Sequence, residues 1–163
     1  MQNTPLKILF ICTHNRCRSI LSEALTNHLA SNDFTAYSAG SAPAGEVHPL
    51  SLRYLAERNI PIEELRSQSW DEFEQIAPDI VITVCDSAAK ETCPVWFGNT
   101  TQLHWGLPDP SKLQGSDAEI KAAFYSVMAT IEARIRAMQA LNLHDLTPRE
   151  RVEKLHNLIA KEI

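Results

Sequence analysis

The sequence predicts a three-layer α/β fold in which four parallel strands form a central sheet with helices on both faces. Short apolar runs of strand length alternate along the chain with amphipathic helical patterns. The clearest run, Ile80–Val84, is the unbroken β-branched sequence typical of a strand buried on both faces. Strands separated by helices pair in parallel through right-handed crossovers, and a central first strand gives the order 2-1-3-4.

The strands and helices of the first two thirds follow one another in order. The predicted strands cover residues 7–12, 34–39, 80–84 and 101–105. The predicted helices cover about residues 19–30, 48–59 and 70–76, the last of them short. Ser19 is expected to cap the first helix, and Gly40 ends the second strand.

Two capping boxes mark the helices of the C-terminal third. Ser116 with Glu119 opens a long helix, and Thr147 with Glu150 opens an appended terminal helix at about 147–162. Each box pairs a hydroxyl with a carboxylate three residues later, which satisfies N–H groups that the first turn leaves open. No repeat or linker divides the 163 residues, so we expect a single domain.

Composition and charge exclude several classes of function. The formal net charge of -5 argues against nucleic acid or an anionic membrane surface as a partner. No apolar run approaches the length of a membrane span, and the N-terminus lacks a signal pattern, so we expect a cytoplasmic protein. In that compartment the 4 cysteines are expected to be reactive, metal-binding or buried rather than joined in static disulfides.

The segment between the first strand and the first helix, residues 12–19, is a candidate oxyanion site, called here the oxyanion loop. Such a loop presents backbone N–H groups and the positive end of a helix to a ligand. Because Arg18 adds a positive charge, we expect a lowered pKa for the Cys12 thiol and a nucleophilic role for its thiolate. The residues expected to bind the oxyanion are Thr13, His14, Asn15, Arg16, Cys17, Arg18 and Ser19.

Further reactive groups follow the third and fourth strands. Cys85 lies at the carboxyl end of the third strand, and Cys93 returns a second thiol after seven intervening residues. Asp109, between two prolines after the fourth strand, is expected to be a stiff, exposed general acid. Ligands of open parallel sheets lie outside the carboxyl ends of the strands, so the thiols of Cys12 and Cys85 could meet there. Cys12, Arg18 and Asp109 suffice for a phosphatase, which leaves the other two thiols unexplained.

These residues resemble a known family. The oxyanion loop is similar to the phosphate loop of the low-molecular-weight protein tyrosine phosphatases and of the arsenate reductases built on that fold. The resemblance covers most of the chain. Its other segments are Tyr37–Gly40, Val84–Asp86, Thr92–Pro94, His104–Gly106 and Asp109–Pro110. The paired thiols and the His-Trp-Gly segment resemble the arsenate reductase branch, whereas Ser111 stands where the phosphatase branch usually has an aromatic residue.

The resemblance implies a thiol relay. Cys12 would attack arsenate, Cys85 would attack Cys12 as arsenite leaves, and Cys93 would attack Cys85 to leave a disulfide. An external dithiol protein of the thioredoxin or glutaredoxin type would reduce that disulfide, and neither a cofactor nor a metal is expected. Some thioredoxin-coupled members bind potassium beside the loop asparagine through an acid near residues 68–71. If Trp70 takes that place, no potassium site is expected here.

Three alternatives stay open at this point. The nearest is a low-molecular-weight protein tyrosine phosphatase that hydrolyses phosphate monoesters through a phosphocysteine. A structural zinc site is a second, although the cysteines lack Cys-x2-Cys pairs and Arg18 opposes a cation. The third, a redox protein of the thioredoxin type, lacks its Cys-x-x-Cys motif.

Overall fold

In the computed structural model, which describes residues 4–85 and 100–161, four parallel strands form one sheet. The strands are β1 (Leu6–Ile11), β2 (Phe34–Ala39), β3 (Ile80–Thr83) and β4 (Thr101–His104). Their order in the sheet is β2-β1-β3-β4, which confirms the predicted 2-1-3-4 arrangement. Each predicted strand lies within one residue of the observed bounds.

Helices flank the sheet on both faces, as predicted. The α-helices of the described residues are α1 (Arg18–Leu29), α2 (Pro49–Glu57), α3 (Asp117–Gln139) and α4 (Pro148–Lys161). Short 3₁₀ helices cover Trp70–Ile76, Pro110–Lys112 and Leu143–Asp145. Both predicted capping boxes form, at Ser116 and at Thr147. Within the described part of the chain, no helix combines the length and apolar composition needed to span a bilayer.

The two central strands form the most deeply buried part of the core. Side chains of residues 8–11 in β1 and 80–82 in β3 are at most 1% exposed. A strand covered by helices on both faces has no solvent-facing side, which explains why these runs do not alternate between apolar and polar residues. Their burial gives the segments that follow a rigid base.

The register of the sheet brings the carboxyl ends of the strands to one level. Ile11 pairs with Ala39 on one side and with Thr83 on the other, and Thr83 pairs with His104. The ladder continues one residue further, because the Val84 N–H donates to the Ile11 carbonyl at 2.9 Å. The segments that follow β1 and β3 therefore leave the sheet side by side.

The outer edge of β2, away from β1, is hydrogen-bonded by groups of Asn27 and Gln68. The side-chain amide of Asn27 donates to the Ala36 carbonyl at 3.0 Å and accepts from the Ala36 N–H at 2.8 Å, as a neighbouring strand would. Further along, the Gln68 side chain donates to the Ser38 carbonyl at 3.4 Å, and the Gly40 N–H donates to the Gln68 carbonyl at 2.9 Å. These contacts satisfy backbone groups that point away from β1.

Gly40, directly after β2, lies against the backbone of the oxyanion loop. A Cβ atom at this position would be 2.5 Å from the Thr13 carbonyl oxygen and 2.7 Å from that of Cys12. Both are backbone atoms anchored to β1, so neither can move aside without displacing the loop. The glycine is required here by space.

We expect Gly40→Ala to lower the free energy of unfolding by about 2 kcal/mol, because the added methyl overpacks against backbone. Urea unfolding of the purified protein measures this change. Gly115→Ala is the matched control, since its Cβ would meet the flexible carboxylate of Glu119 at 3.0 Å. Equal stability of Gly40→Ala and the natural protein would contradict the steric argument.

Candidate active site

The oxyanion loop joins β1 to α1 at the carboxyl edge of the sheet. The first helix begins at Arg18, and Cys17 occupies its N-cap position, with a carbonyl that accepts from the Leu21 N–H at 2.9 Å. The predicted cap at Ser19 is therefore wrong. Ser19 lies inside the first turn, is completely buried, and accepts a hydrogen bond from the Asn15 side-chain amide at 2.8 Å.

Asn15 holds the loop from behind. Its backbone is in the left-handed region at φ 48°, which asparagine tolerates better than most non-glycine residues. Its side chain is buried and bridges two segments, donating to Ser19 Oγ and accepting from the Gln68 N–H at 2.8 Å. The turn is thus tied both to α1 and to the segment that follows α2.

The loop carbonyls point outward. Three of them accept N–H groups from the segment after β2, each at 2.9 Å: Thr13 from Ala42, His14 from Ala44 and Arg16 from His48. In a planar trans peptide the N–H of the next residue points the opposite way, into the loop. The His14 N–H accordingly donates to the Cys12 sulfur. Outward carbonyls and inward N–H groups make the cradle that a tetrahedral oxyanion needs.

Arg18 is fixed at the edge of the loop by contacts from beyond β4. One terminal nitrogen donates to the Leu107 carbonyl at 3.0 Å, and the other lies 3.6 Å from Asp109 Oδ2. Its Nε is buried without a hydrogen-bond partner among the described residues. That unsatisfied donor is a costly feature unless a ligand accepts from it, which fits an anion-binding role.

Asp109 is less accessible than the sequence predicted. Its side chain is 17% exposed, because it packs against Arg18 and caps the 3₁₀ helix at Pro110–Lys112. Oδ1 accepts from the Ser111 N–H at 3.0 Å and from the Ser111 hydroxyl at 2.6 Å. The expectation of an exposed acid is wrong, because the contacts with Arg18 and Ser111 shelter the carboxylate.

The thiols of Cys12 and Cys85 meet at this edge. Both residues are buried, at 6% and 3% exposure, both line the cleft above the loop, and Cys85 lies near enough to shift the pKa of Cys12. Thr13 Oγ1 also lies 3.7 Å from the Cys85 sulfur. Two independent strands therefore bring a second sulfur to the expected nucleophile.

This contact reverses the expected shift of the Cys12 pKa. The hydrogen bond to Cys85, burial and the negative charge of a Cys85 thiolate all raise the pKa of Cys12. Arg18 and the His14 N–H lower the pKa, as the sequence predicted, but they are outweighed. The expectation of a lowered pKa is wrong for the thiol pair as it lies here, because two adjacent sulfurs cannot both ionise easily.

Of the other two cysteines, the structure describes Cys17 alone. Cys17 packs beneath the loop at 4% exposure, and burial raises the pKa of its thiol to about 11, against a hydrogen bond from Ser51. An inert packing role follows for Cys17. Cys93 lies outside the described residues.

The cleft above the loop is small. Its volume is about 100 Å³, well below the roughly 300–1,000 Å³ of pockets for drug-sized ligands. Predicted residues that line it are Cys12, Thr13, His14, Arg16, Cys17, Arg18, Cys85 and Asp109, whereas Asn15 and Ser19 support it from behind. Ser111 and Lys112 also line the cleft. The sequence analysis did not predict this. Their position directly after Asp109–Pro110 could have indicated that they lie at the cleft.

The segment near residues 68–71 contributes a backbone group to Asn15. The Asn15 side-chain oxygen accepts the N–H of Gln68 at 2.8 Å. In the part of the chain that the structure describes, no cluster of three or more His, Cys, Asp or Glu side chains could hold a metal ion.

The sequence profile described as low molecular weight phosphotyrosine protein phosphatase matches residues 7–152. The chain belongs to this family. The matched residues include all those that line the cleft, and the names of the relatives show that the protein is an enzyme. Residues 153–161, within α4, lie beyond the matched region.

Within the family, the chain is similar to arsenate reductases. It is 36% identical over 129 residues to the arsenate reductase of Halalkalibacterium halodurans, covering 79% of this chain and 91% of that protein. The solved arsenate reductase of Archaeoglobus fulgidus superposes with a TM-score of 0.66 at 28% identity, covering 80% of this chain and 97% of that one. The thioredoxin-dependent arsenate reductase of Corynebacterium glutamicum gives 0.64 at 29% identity, covering 86% and 63%.

We expect Cys85→Ala to lower the pKa of Cys12, because it removes both the hydrogen bond and the competing thiolate. Alkylation of Cys12 by iodoacetamide, followed by peptide mass spectrometry from pH 5 to 10, measures the shift. The rate at neutral pH should rise about tenfold for each unit by which the pKa falls. Cys85→Ser separates the two causes, since the hydroxyl keeps a hydrogen bond without a thiolate. An unchanged pH profile in Cys85→Ala would contradict the coupling.

We expect Asn15→Ala to weaken binding of inorganic phosphate by at least about tenfold, since the loop loses two hydrogen bonds of its support. Isothermal titration measures the affinity. Asn59→Ala is the matched control, because Asn59 is exposed and has a similar left-handed backbone at φ 60°. Similar losses of affinity in both variants would show that backbone strain, and not the loop support, was responsible.

Proposed function

We propose that the protein is an arsenate reductase that moves two electrons from a pair of thiols to arsenate held in the oxyanion loop. The position of Cys12 and Cys85, whose side chains line the same small cleft, carries the proposal. Phosphate ester hydrolysis needs one nucleophilic sulfur, whereas reduction needs a second thiol within reach of the first. The names of the relatives support this choice within the family.

The first step is attack by Cys12 on bound arsenate. Inward N–H groups of the loop and the open Nε donor of Arg18 would hold the oxygens, where they also stabilise the charge of the transition state. Because the Cys12 pKa is raised, the thiol must lose its proton on binding, and a basic oxygen of the arsenate dianion can accept it. A sulfur–arsenic bond forms, and one arsenate oxygen leaves as water.

The second step uses Cys85. Its thiolate attacks the Cys12 sulfur, a disulfide forms between the two residues, and the sulfur–arsenic bond breaks. The electron pair of that bond stays on arsenic, which leaves in the reduced state as arsenite. The side-chain contact between the two residues provides the approach for this attack.

The third step regenerates the nucleophile. A thiolate of Cys93 would attack Cys85, release Cys12, and leave a Cys85–Cys93 disulfide for an external dithiol protein to reduce. The relative from Corynebacterium glutamicum is thioredoxin-dependent, which favours thioredoxin over glutaredoxin as the reductant. Such a cycle needs a compartment that keeps thiols reduced, so we place the protein in the cytoplasm.

The proposal is tested by arsenate-dependent NADPH oxidation with purified thioredoxin and thioredoxin reductase, compared with a glutaredoxin system. We expect sustained turnover with thioredoxin and none in Cys12→Ser. Steady hydrolysis of an aryl phosphate without arsenate consumption would instead assign the chain to the phosphatases.

Arsenite released per protein molecule tests the order of the thiols. We expect many turnovers for the natural protein, at most one for Cys93→Ser, and almost no arsenite for Cys85→Ser, which can form only the arsenic adduct. Mass spectrometry of the Cys93→Ser product should show a disulfide between Cys12 and Cys85. Sustained turnover in Cys93→Ser would exclude the relay.

A further inference from the structure

Two cations at the mouth of the cleft have no part in the steps described above. Arg16 belongs to the oxyanion loop and Lys112 to the 3₁₀ helix after β4, and both exposed residues line the cleft. Cys12, in contrast, is only 6% exposed and lies at the floor. We propose that Arg16 and Lys112 form a cationic rim that binds the outward oxygen of a tetrahedral oxyanion, which makes Lys112 a further specificity-determining residue of the site.

Both side chains of the cationic rim extend from backbone that is held in place. The Arg16 carbonyl accepts the His48 N–H at 2.9 Å and the Ser51 hydroxyl at 3.4 Å. The turn that carries Lys112 is capped by the Asp109 side chain, and the Lys112 N–H donates to the Asp109 carbonyl at 3.3 Å. The two cations therefore start from fixed points beside the loop.

The cationic rim lacks a negative partner of its own. In the part of the chain that the structure describes, neither Arg16 nor Lys112 forms a salt bridge, whereas Arg18 lies 3.6 Å from the Asp109 carboxylate. Three cations and one carboxylate thus line the cleft of a protein whose formal net charge is -5. A cleft with an excess of one sign attracts ligands of the other. The excess here matches the two negative charges of an arsenate or phosphate dianion.

The direction of attack decides which oxygen the cationic rim would meet. A nucleophile at the floor displaces the group in line with it, so the leaving oxygen points towards the mouth of the cleft. In inorganic arsenate or phosphate, that oxygen can accept hydrogen bonds from Arg16 and Lys112. In a phosphate monoester it carries an organic group, which would stand between the two cations instead. The cationic rim therefore favours inorganic oxyanions over esters. The consequence for arsenate rests on the proposed function.

Protection of Cys12 from iodoacetamide tests the inference without any need for turnover. An anion in the cleft blocks alkylation, so the concentration that halves the rate gives its dissociation constant. Inorganic phosphate and phenylphosphonate are compared at pH 8, where both are dianions that differ in whether an oxygen or a phenyl ring occupies the outward position. Lys112→Met removes the charge of an exposed side chain and keeps its length. Lys121→Met is the matched control, because Lys121 is an exposed cation that does not line the cleft.

We expect Lys112→Met to weaken protection by phosphate about tenfold and protection by phenylphosphonate at most about twofold, since a charge acts most strongly on the oxygen beside it. Arg16→Met should act in the same direction, because the backbone contacts of Arg16 do not depend on its side chain. Lys121→Met should keep both natural constants. Sodium chloride at about 0.5 M should weaken phosphate binding more in the natural protein than in Lys112→Met, since salt screens the rim.

Equal phosphate affinity in Lys112→Met, Arg16→Met and the natural protein would overturn the inference. So would equal losses for the two anions, which would reduce the cationic rim to a general attraction for negative charge. The reductase assignment fails separately. Absence of arsenate reduction by the natural protein, together with the expected affinities, would remove that assignment and leave the cationic rim standing.

Discussion

The register between β1 and β3 is the constraint on which the site depends. Pairing of Ile11 with Thr83 makes the two central strands end together, so the chain delivers Cys12 and Cys85 to the same point. Both strands are buried, and a slip of one residue would disrupt the close packing of their side chains on both faces of the sheet. The energy that fixes the sheet therefore also fixes the distance between the two sulfurs.

Two features of the site have opposite effects on the ionisation of Cys12. The oxyanion loop collects N–H groups and Arg18, which favour negative charge, while the second thiol disfavours ionisation of the first. Ionisation of Cys12 is therefore disfavoured in the unliganded site, and an incoming anion with a basic oxygen can accept its proton.

Local patterns were enough to predict the sheet order, the strands and both capping boxes, since periodicity and capping act over a few residues. The errors have two sources. Ser19 is not the cap because the helix begins earlier, with Cys17 as N-cap, and the Ser19 hydroxyl accepts from Asn15. Asp109 is sheltered because Arg18 comes from a distant part of the chain. The sequence placed Cys12 and Cys85 at one edge, but the contact itself, which raises the Cys12 pKa, required the three-dimensional structure.

The closed edge of β2 has a consequence for self-association. A strand at the border of a sheet ordinarily offers a template on which another polypeptide can polymerise. Here the Asn27 amide imitates a peptide group at Ala36, and Gln68 covers the positions beyond it. A second copy would find these positions already occupied, so crowding or partial heating should not readily recruit this border into fibrillar stacking while α1 remains docked.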